Sequence, residues 1–591
     1  MPQHNETSQS TKLKNSQMKL PEQPLKLETK MEVLRRGSWL DRRLICSLLM
    51  MDACGVSSLQ LSLEHTASIL GCSISDEKLA IHLDKEDELN HLRNQFNVPK
   101  IKDLPSTDLS LVNGEEECIY LCGHSLGLQP KKTKAYVNEE LDNWAKTGVY
   151  GHFHGSYPWA LADECLVELM ANIIGAKKEE TALMNGLSVN LHLLLLSFYK
   201  PTSSRHKILM EANAFSSDHY AVESQIRLQG LDPKESMFLL SPAEGEKTLQ
   251  TEDILSTIEE EGDSIAVILL SGVQYYTGQL FDMISITRAG HVKGCYVGFD
   301  LAHAVGNVEL RLHDWNVDFA CWCNYKYLNS GAGALAGAYI HEKHKNTIKP
   351  TLLGWWGHDM KTRFQMDNKL DLTPGVNGFR ISNPPILLVR SLQASLEIFN
   401  QTDKKALRKK SVLLTGYLEC LIKHYHSKVP DNPQKIYIDI ITPSNIEERG
   451  CQLSLLFSDH INQIFEEITK RGAVCRSQTH TNTSQQISFK MPELCSNQTV
   501  QAPSAFAKTW KNAYGDFTCS MLWSNGLLFW KATDVRTQKI GSGAAVCLNA
   551  VCYFRKVMWF YKQRESNRFF SERERERIQF HTSAAAAGTG T

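Results

Sequence analysis

The sequence predicts an α/β fold, with a large domain built on a mostly parallel sheet and a smaller α/β domain toward the C-terminus. Two observations predict it. Apolar, β-rich runs unbroken by charge recur at residues 208–210, 264–270, 295–299 and 319–323, the pattern of strands buried on both faces. Polar side chains follow several of them: Ser271 after the second, Asp300 after the third and Lys326 after the fourth. Open α/β sheets bind ligands at the carboxyl ends of their strands, so these side chains are expected to share one crevice. After Pro384-Pro385 the pattern changes to helices over 386–399 and 404–423 and a strand over 452–457, which marks the smaller domain.

Asp300 and Lys326 have a joint chemistry. A lysine among apolar neighbours has its pKa lowered and can form a covalent imine with an aldehyde, and a buried acid can keep a pyridine nitrogen protonated. Pyridoxal 5'-phosphate needs both. The two residues alone equally fit a lysine that snorkels from a strand end and an aspartate that caps the next turn.

The surrounding words decide. Gly298-Phe299-Asp300-Leu301-Ala302-His303-Ala304 and Cys323-Asn324-Tyr325-Lys326-Tyr327-Leu328-Asn329 closely resemble the kynureninases, which are aminotransferase-like pyridoxal phosphate enzymes of fold type I. The resemblance extends from about residue 79 to about residue 475. It implies pyridoxal phosphate as cofactor, Lys326 as its attachment point and proton carrier, and Asp300 as partner of the ring nitrogen. It further implies hydrolysis of L-kynurenine and 3-hydroxykynurenine to anthranilate and 3-hydroxyanthranilate plus L-alanine, in tryptophan catabolism toward NAD. A cytoplasmic homodimer is implied with it.

Composition is consistent with a small-molecule enzyme. Lys+Arg 64 against Asp+Glu 65 leaves a net charge of -1 over 591 residues, so no global field recruits nucleic acid or an anionic membrane. No stretch reaches the roughly 20 apolar residues of a membrane span. The 16 cysteines are scattered, without CxxC pairs, as expected of reduced thiols. Cys321 and Cys323 are read as core residues and no metal is expected.

Residues 1–66 are read as a disordered extension and 67–119 as a helical segment. Residues 120–385 form the large cofactor domain, 386–475 an incomplete small domain and 476–591 a divergent tail. In the loop Gly123-His124-Ser125-Leu126-Gly127, His124 stands where the family pattern has Asn, and it is read as a solvated residue. The resemblance places His152 in the substrate pocket as a catalytic group. Leu187 and Ser188 open an apolar helix whose free amides suit a phosphate, although an ordinary Ser cap looks the same. Phe215, in Phe215-Ser216-Ser217-Asp218, is expected to stack on the cofactor ring, with Ser216, Ser217 and Asp218 beside it. Ser271, His303, Tyr325, Trp355 and Asn383 complete the expected cofactor contacts, some across a dimer interface.

Beyond Cys475 the resemblance stops. Kynureninases continue into a strand whose arginine grips the substrate carboxylate, whereas this chain reads Arg476-Ser477-Gln478-Thr479-His480. The tail carries Trp510, Trp523, Trp530 and Trp559 and an alternating charge run at 571–577, read as a solvated helix face. The lost strand motivates an alternative: a weak or noncatalytic relative that binds the cofactor and dimerises with intact subunits.

Overall fold

The computed structural model describes residues 58–428, 436–480 and 484–490. The expectations for residues 1–57 and for the tail from 491 onward lie outside these residues. Helix α1 (Ser58–Ile69) corrects the expected disordered extension over 58–66. Leu59, Leu63, Thr66 and Ala67, all buried, recur at helical spacing there, a stripe that the polar stretch before it lacks.

Seven strands form the central sheet: β1 (Thr181–Leu183), β2 (Lys207–Glu211), β3 (Met237–Leu240), β4 (Ile265–Ser271), β5 (Tyr296–Asp300), β6 (Phe319–Trp322) and β7 (Gly337–Ile340). Their order is β1-β7-β6-β5-β4-β2-β3. Strands β2 to β6 run parallel, and β7 is antiparallel to both β6 and β1. Alternate residues feed two cores. Ile268, Leu270, Val297, Phe299 and Trp322 enter one, while Val267, Leu269, Phe319 and Cys321 enter the other. Both faces are therefore apolar, which is why the runs carry no alternation. Gly298 in β5 lets β6 close in, since a Cβ there would lie 2.2 Å from the Phe319 ring.

Helices α2 (Leu187–Phe198) and α3 (Ser216–Leu228) follow β1 and β2. After Pro385, α4 (Ile386–Phe399) and α5 (Lys404–His426) lead out of the large sheet. Asp403 caps α5 by accepting the N–H groups of Lys405 and Ala406 at 2.8 and 2.9 Å. Leu407, Ser411, Leu414, Leu418 and Leu421 are buried along one stripe of α5, as their spacing predicts.

The second sheet is antiparallel: β8 (Ile438–Ile440), β9 (Gln452–Phe457), β10 (Arg476–His480) and β11 (Ser484–Lys490), ordered β8-β9-β11-β10. Helix α6 (Ile461–Lys470) lies between β9 and β10 in the chain. This sheet continues past residue 475, where the small domain was expected to break off. Arg476 to His480 carry no apolar alternation, so their pairing rests on backbone hydrogen bonds that composition does not reveal. A parallel pair, Ile119–Tyr120 with Ala473–Val474, ties this end of the chain to the start of the large domain.

Candidate active site

The sheet brings Asp300 and Lys326 together as the strand-end rule requires. Asp300 closes β5, with Ser271 at the end of β4 as its cross-strand partner. Lys326 lies four residues past β6. Its Nζ is 2.8 Å from His303 Nε2 and 5.8 Å from the Phe215 ring centroid. His303 Nδ1 is 3.4 Å from the Tyr327 hydroxyl. Phe215 is half-exposed, and its ring meets that of Tyr275 at 5.4 Å. The 123–127 loop is seated on the lysine's own backbone: the Gly127 N–H donates to the Tyr325 carbonyl at 2.8 Å, and a Cβ on Gly127 would lie 2.3 Å from the Lys326 carbonyl oxygen.

Three buried carboxyls sit together at this end of the sheet. Asp300 Oδ1 accepts the Ala302 N–H at 2.7 Å. Burial pushes the Asp300 carboxyl up, opposed by a hydrogen bond from Asp218 and by the charge of Lys326. Asp218 is driven well above its usual range by burial and by the Asp300 and Glu211 charges, so within this pair the proton resides on Asp218. Asp218 Oδ1 is buried without a hydrogen-bond partner. Glu211, at the end of β2, accepts the Ser271 N–H at 3.2 and 3.3 Å through its two oxygens and is pushed up to about 7 by burial.

Sequence reasoning passed over Glu211, although it follows Ile208-Leu209-Met210 as Asp300 follows its own strand. Its titration gives a stability prediction. The folded chain holds the Glu211 proton between pH about 4.5 and about 7, and the unfolded chain does not. Stability of the cofactor-free protein should therefore fall across that window by about 3 kcal/mol from this group alone. Glu211→Gln should remove that part of the decline, as read from urea unfolding at pH 5 and pH 7.5. An equal decline in both proteins would show that Glu211 is ionised in the fold.

Beside Asp218, which lies in the first turn of α3, two helix N-termini converge. Ser188 Oγ, in the first turn of α2, is 2.7 Å from Ser217 Oγ, in the first turn of α3. The N-cap residues, Gly186 and Phe215, supply no side-chain cap, so the first amides of both helices have no side-chain acceptor and their dipoles favour an anion. A Cβ on Gly186 would meet nothing within 4 Å. Ser188 is thus no N-cap, and Leu187 and Ser216 begin the two helices. A phosphate cradle, a ring face on Phe215, an amine at Lys326 and an acid at Asp300 with an orphaned oxygen beside it on Asp218 match the chemistry of pyridoxal phosphate.

His152, Trp355 and Asn383 make their described contacts with other residues. His152 is exposed, and its ring contacts are with Phe153 and Trp159, at 6.3 and 5.2 Å. Trp355 is exposed, donates Nε1–H to the Arg363 carbonyl at 3.0 Å and packs on Phe364 at 5.4 Å. Asn383 is exposed next to Ser382. Tyr325 is half-buried, and burial pushes its phenol up. His124 is only 4% exposed, which corrects the expectation of a solvated loop residue. Its loop is folded down onto the lysine segment instead of into water. Cys321 and Cys323 are buried as expected.

Two arginines bear on the missing carboxylate partner. Arg380 is buried and already paired with Asp163 at 2.8 Å. Arg476 is exposed, and its Nη1 donates to Ser125 Oγ at 3.2 Å. Its charge is felt by Cys122 and by Tyr275, the tyrosine that meets Phe215 edge to face.

Comparison with known proteins agrees with this geometry. The family model for class-V aminotransferases matches residues 120–435. Kynureninase from Mus musculus is 64% identical over 409 residues, covering 69% of this chain and 88% of that protein. Kynureninase from Homo sapiens is 63% identical over 422 residues, covering 71% and 91%, and that from Myxococcus xanthus is 48% identical over 400 residues, covering 68% and 89%. The chain belongs to the kynureninase family. Solved structures share the fold alone: a cysteine desulfurase from Thermococcus onnurineus aligns at a TM-score of 0.55 with 16% identity, over 70% of this chain and 98% of that one.

Proposed function

We propose that this protein is a pyridoxal phosphate-dependent kynureninase, cleaving L-kynurenine and 3-hydroxykynurenine to the corresponding anthranilate and L-alanine. The observation that carries the reading is the meeting of Lys326 with His303, beside the buried Asp300–Asp218 pair, in a chain of kynureninase sequence. When bound, the cofactor supplies an electron sink for negative charge on the carbon beside the substrate amine. Lys326 Nζ, in contact with His303 Nε2, is placed to take a proton there and return one. Asp300 supplies the negative charge that would keep a ring nitrogen protonated. Ser188 and Ser217, with the two helix N-termini, would hold the phosphate, and Phe215 would offer its face to the ring. The test is release of 3-hydroxyanthranilate and alanine from 3-hydroxykynurenine by the purified chain supplied with the cofactor. No turnover at saturating cofactor would overturn the reading.

His152, Trp355 and Asn383 are assigned to a homodimer, acting at or across the boundary with a second copy. Support comes from the exposed aromatic surface around them, where Phe153 meets Phe364 at 5.1 Å and Phe364 meets Trp355 at 5.4 Å. The described cysteines are free thiols, which fits a cytoplasmic setting, and no described helix is long and apolar enough to cross a membrane.

Arg476 is the cation assigned to the substrate carboxylate. Arg476→Gln should raise KM for 3-hydroxykynurenine about tenfold and leave the cofactor's visible spectrum unchanged, with Arg476→Lys intermediate. An unchanged KM would place the carboxylate elsewhere.

A further inference from the structure

A cavity of about 220 Å³ lies between the helix Glu164–Ile174, the turn following His303 and the junction of α4 with α5. None of the Lys326 crevice residues lines it. Its walls include Leu169, Ile173, Val308, Phe399 and Leu407. That volume is below the 300–1,000 Å³ typical of drug-sized ligands, and it suits one ring with a small substituent.

One cation faces this apolar space without an acid of its own. Lys404 lines the cavity, its Nζ donates to the Leu310 carbonyl at 2.9 Å, and burial lowers its pKa. No carboxylate among the described residues makes an ion pair with it. Glu309 exerts the largest pull on it but is held by Arg311 at 2.6 Å. Asp403, also on the wall, turns one oxygen to the N–H groups of Lys405 and Ala406, and Arg408 adds a second positive charge. A partly desolvated ammonium with only a carbonyl partner is stabilised by an incoming anion.

We infer that this cavity binds a small aromatic monocarboxylate, its ring against Leu169, Ile173 and Phe399 and its carboxylate on Lys404. The cavity is wired to the lysine crevice. Asn307 lines it, donates to the His303 carbonyl at 2.7 Å and accepts the Cys451 N–H at 3.0 Å, and His303 in turn contacts Lys326. An occupant thus bears on the residue that contacts the lysine. Under the function proposed above the aromatic product is of this chemical class, so this regulatory consequence rests on that reading; the binding site does not.

The test is isothermal titration of the cofactor-loaded full chain with benzoate, which needs no turnover and so stands apart from the success of the kynurenine assay. The expected result is binding with about millimolar affinity, weakened at least tenfold by Lys404→Gln, restored by Lys404→Arg, abolished by Leu169→Trp, and absent with benzamide. Where substrate turns over, benzoate should inhibit without raising KM, and Leu169→Trp should be resistant. Equal benzoate binding by the variants and the parent would place the ligand in the crevice and overturn the inference. So would no heat at millimolar benzoate, or equal binding of benzamide. Thermal unfolding of each variant excludes a misfolded protein as the cause of lost binding.

Discussion

Lys326→Ala should lower kynurenine cleavage by at least about 10,000-fold, and the visible absorption that cofactor-loaded protein shows should disappear with it. The size follows from two losses at one atom. The ζ-nitrogen is the only amine placed in the crevice among the described residues, 2.8 Å from His303 Nε2 and over the Phe215 ring, so both covalent retention of the cofactor and proton movement end with it. Folding should be little affected: Lys326 is only half-buried, and its described polar contact is with His303. A variant that unfolds like the parent yet has neither band nor activity fits this role. Lys326→Arg keeps the charge near Phe215 and should still fail, because a guanidinium is neither a nucleophilic amine nor a proton exchanger near neutral pH. Parent-like turnover by either variant would remove Lys326 from the mechanism.

What the sequence made legible was whatever depends on strand ends. Asp300, Ser271 and Lys326 could be placed in one crevice because buried parallel strands show as unbroken apolar runs, and the polar residue after each run marks its carboxyl end. Glu211 obeys the same rule and was overlooked, since its run is short and no family word surrounds it. The meeting of Ser188 with Ser217 was not legible, because 29 positions separate them and only the packing of α2 beside α3 joins their first turns. His124 was misread for the opposite reason: a Gly-flanked polar loop looks solvated, yet Gly127 permits the loop to press on Lys326. Strands β10 and β11 were hidden by polar composition, their pairing being a property of the open edge of β9. Their first residue places Arg476 against Ser125, so the end of the chain that departs from the family returns a cation to the same loop.

Asp300→Asn should lower kcat by about 100- to 1,000-fold, the cost of removing one fixed group that stabilises charge in the reaction. Asparagine preserves the shape and can still accept the Ala302 N–H, which Asp300 Oδ1 holds at 2.7 Å, but it carries no negative charge to keep a ring nitrogen protonated. The neighbours determine how much is lost. Asp218 owes part of its raised pKa to the Asp300 charge, so with Asp300 neutral its own carboxyl becomes more acidic and can supply part of the missing anion. The single variant should therefore retain more activity at pH 8 than at pH 6, as Asp218 ionises, and Asp218→Asn combined with Asp300→Asn should lose that recovery. Stability should move the other way. Replacing the buried Asp300 charge with a neutral amide removes its desolvation cost, so the cofactor-free Asp300→Asn protein should be at least as resistant to urea at pH 7 as the parent. A variant both slow and less stable would indicate that Asp300 is held by its lattice of hydrogen bonds more than it is burdened by its neighbours. In that case the pH-dependent recovery through Asp218 should be missing as well.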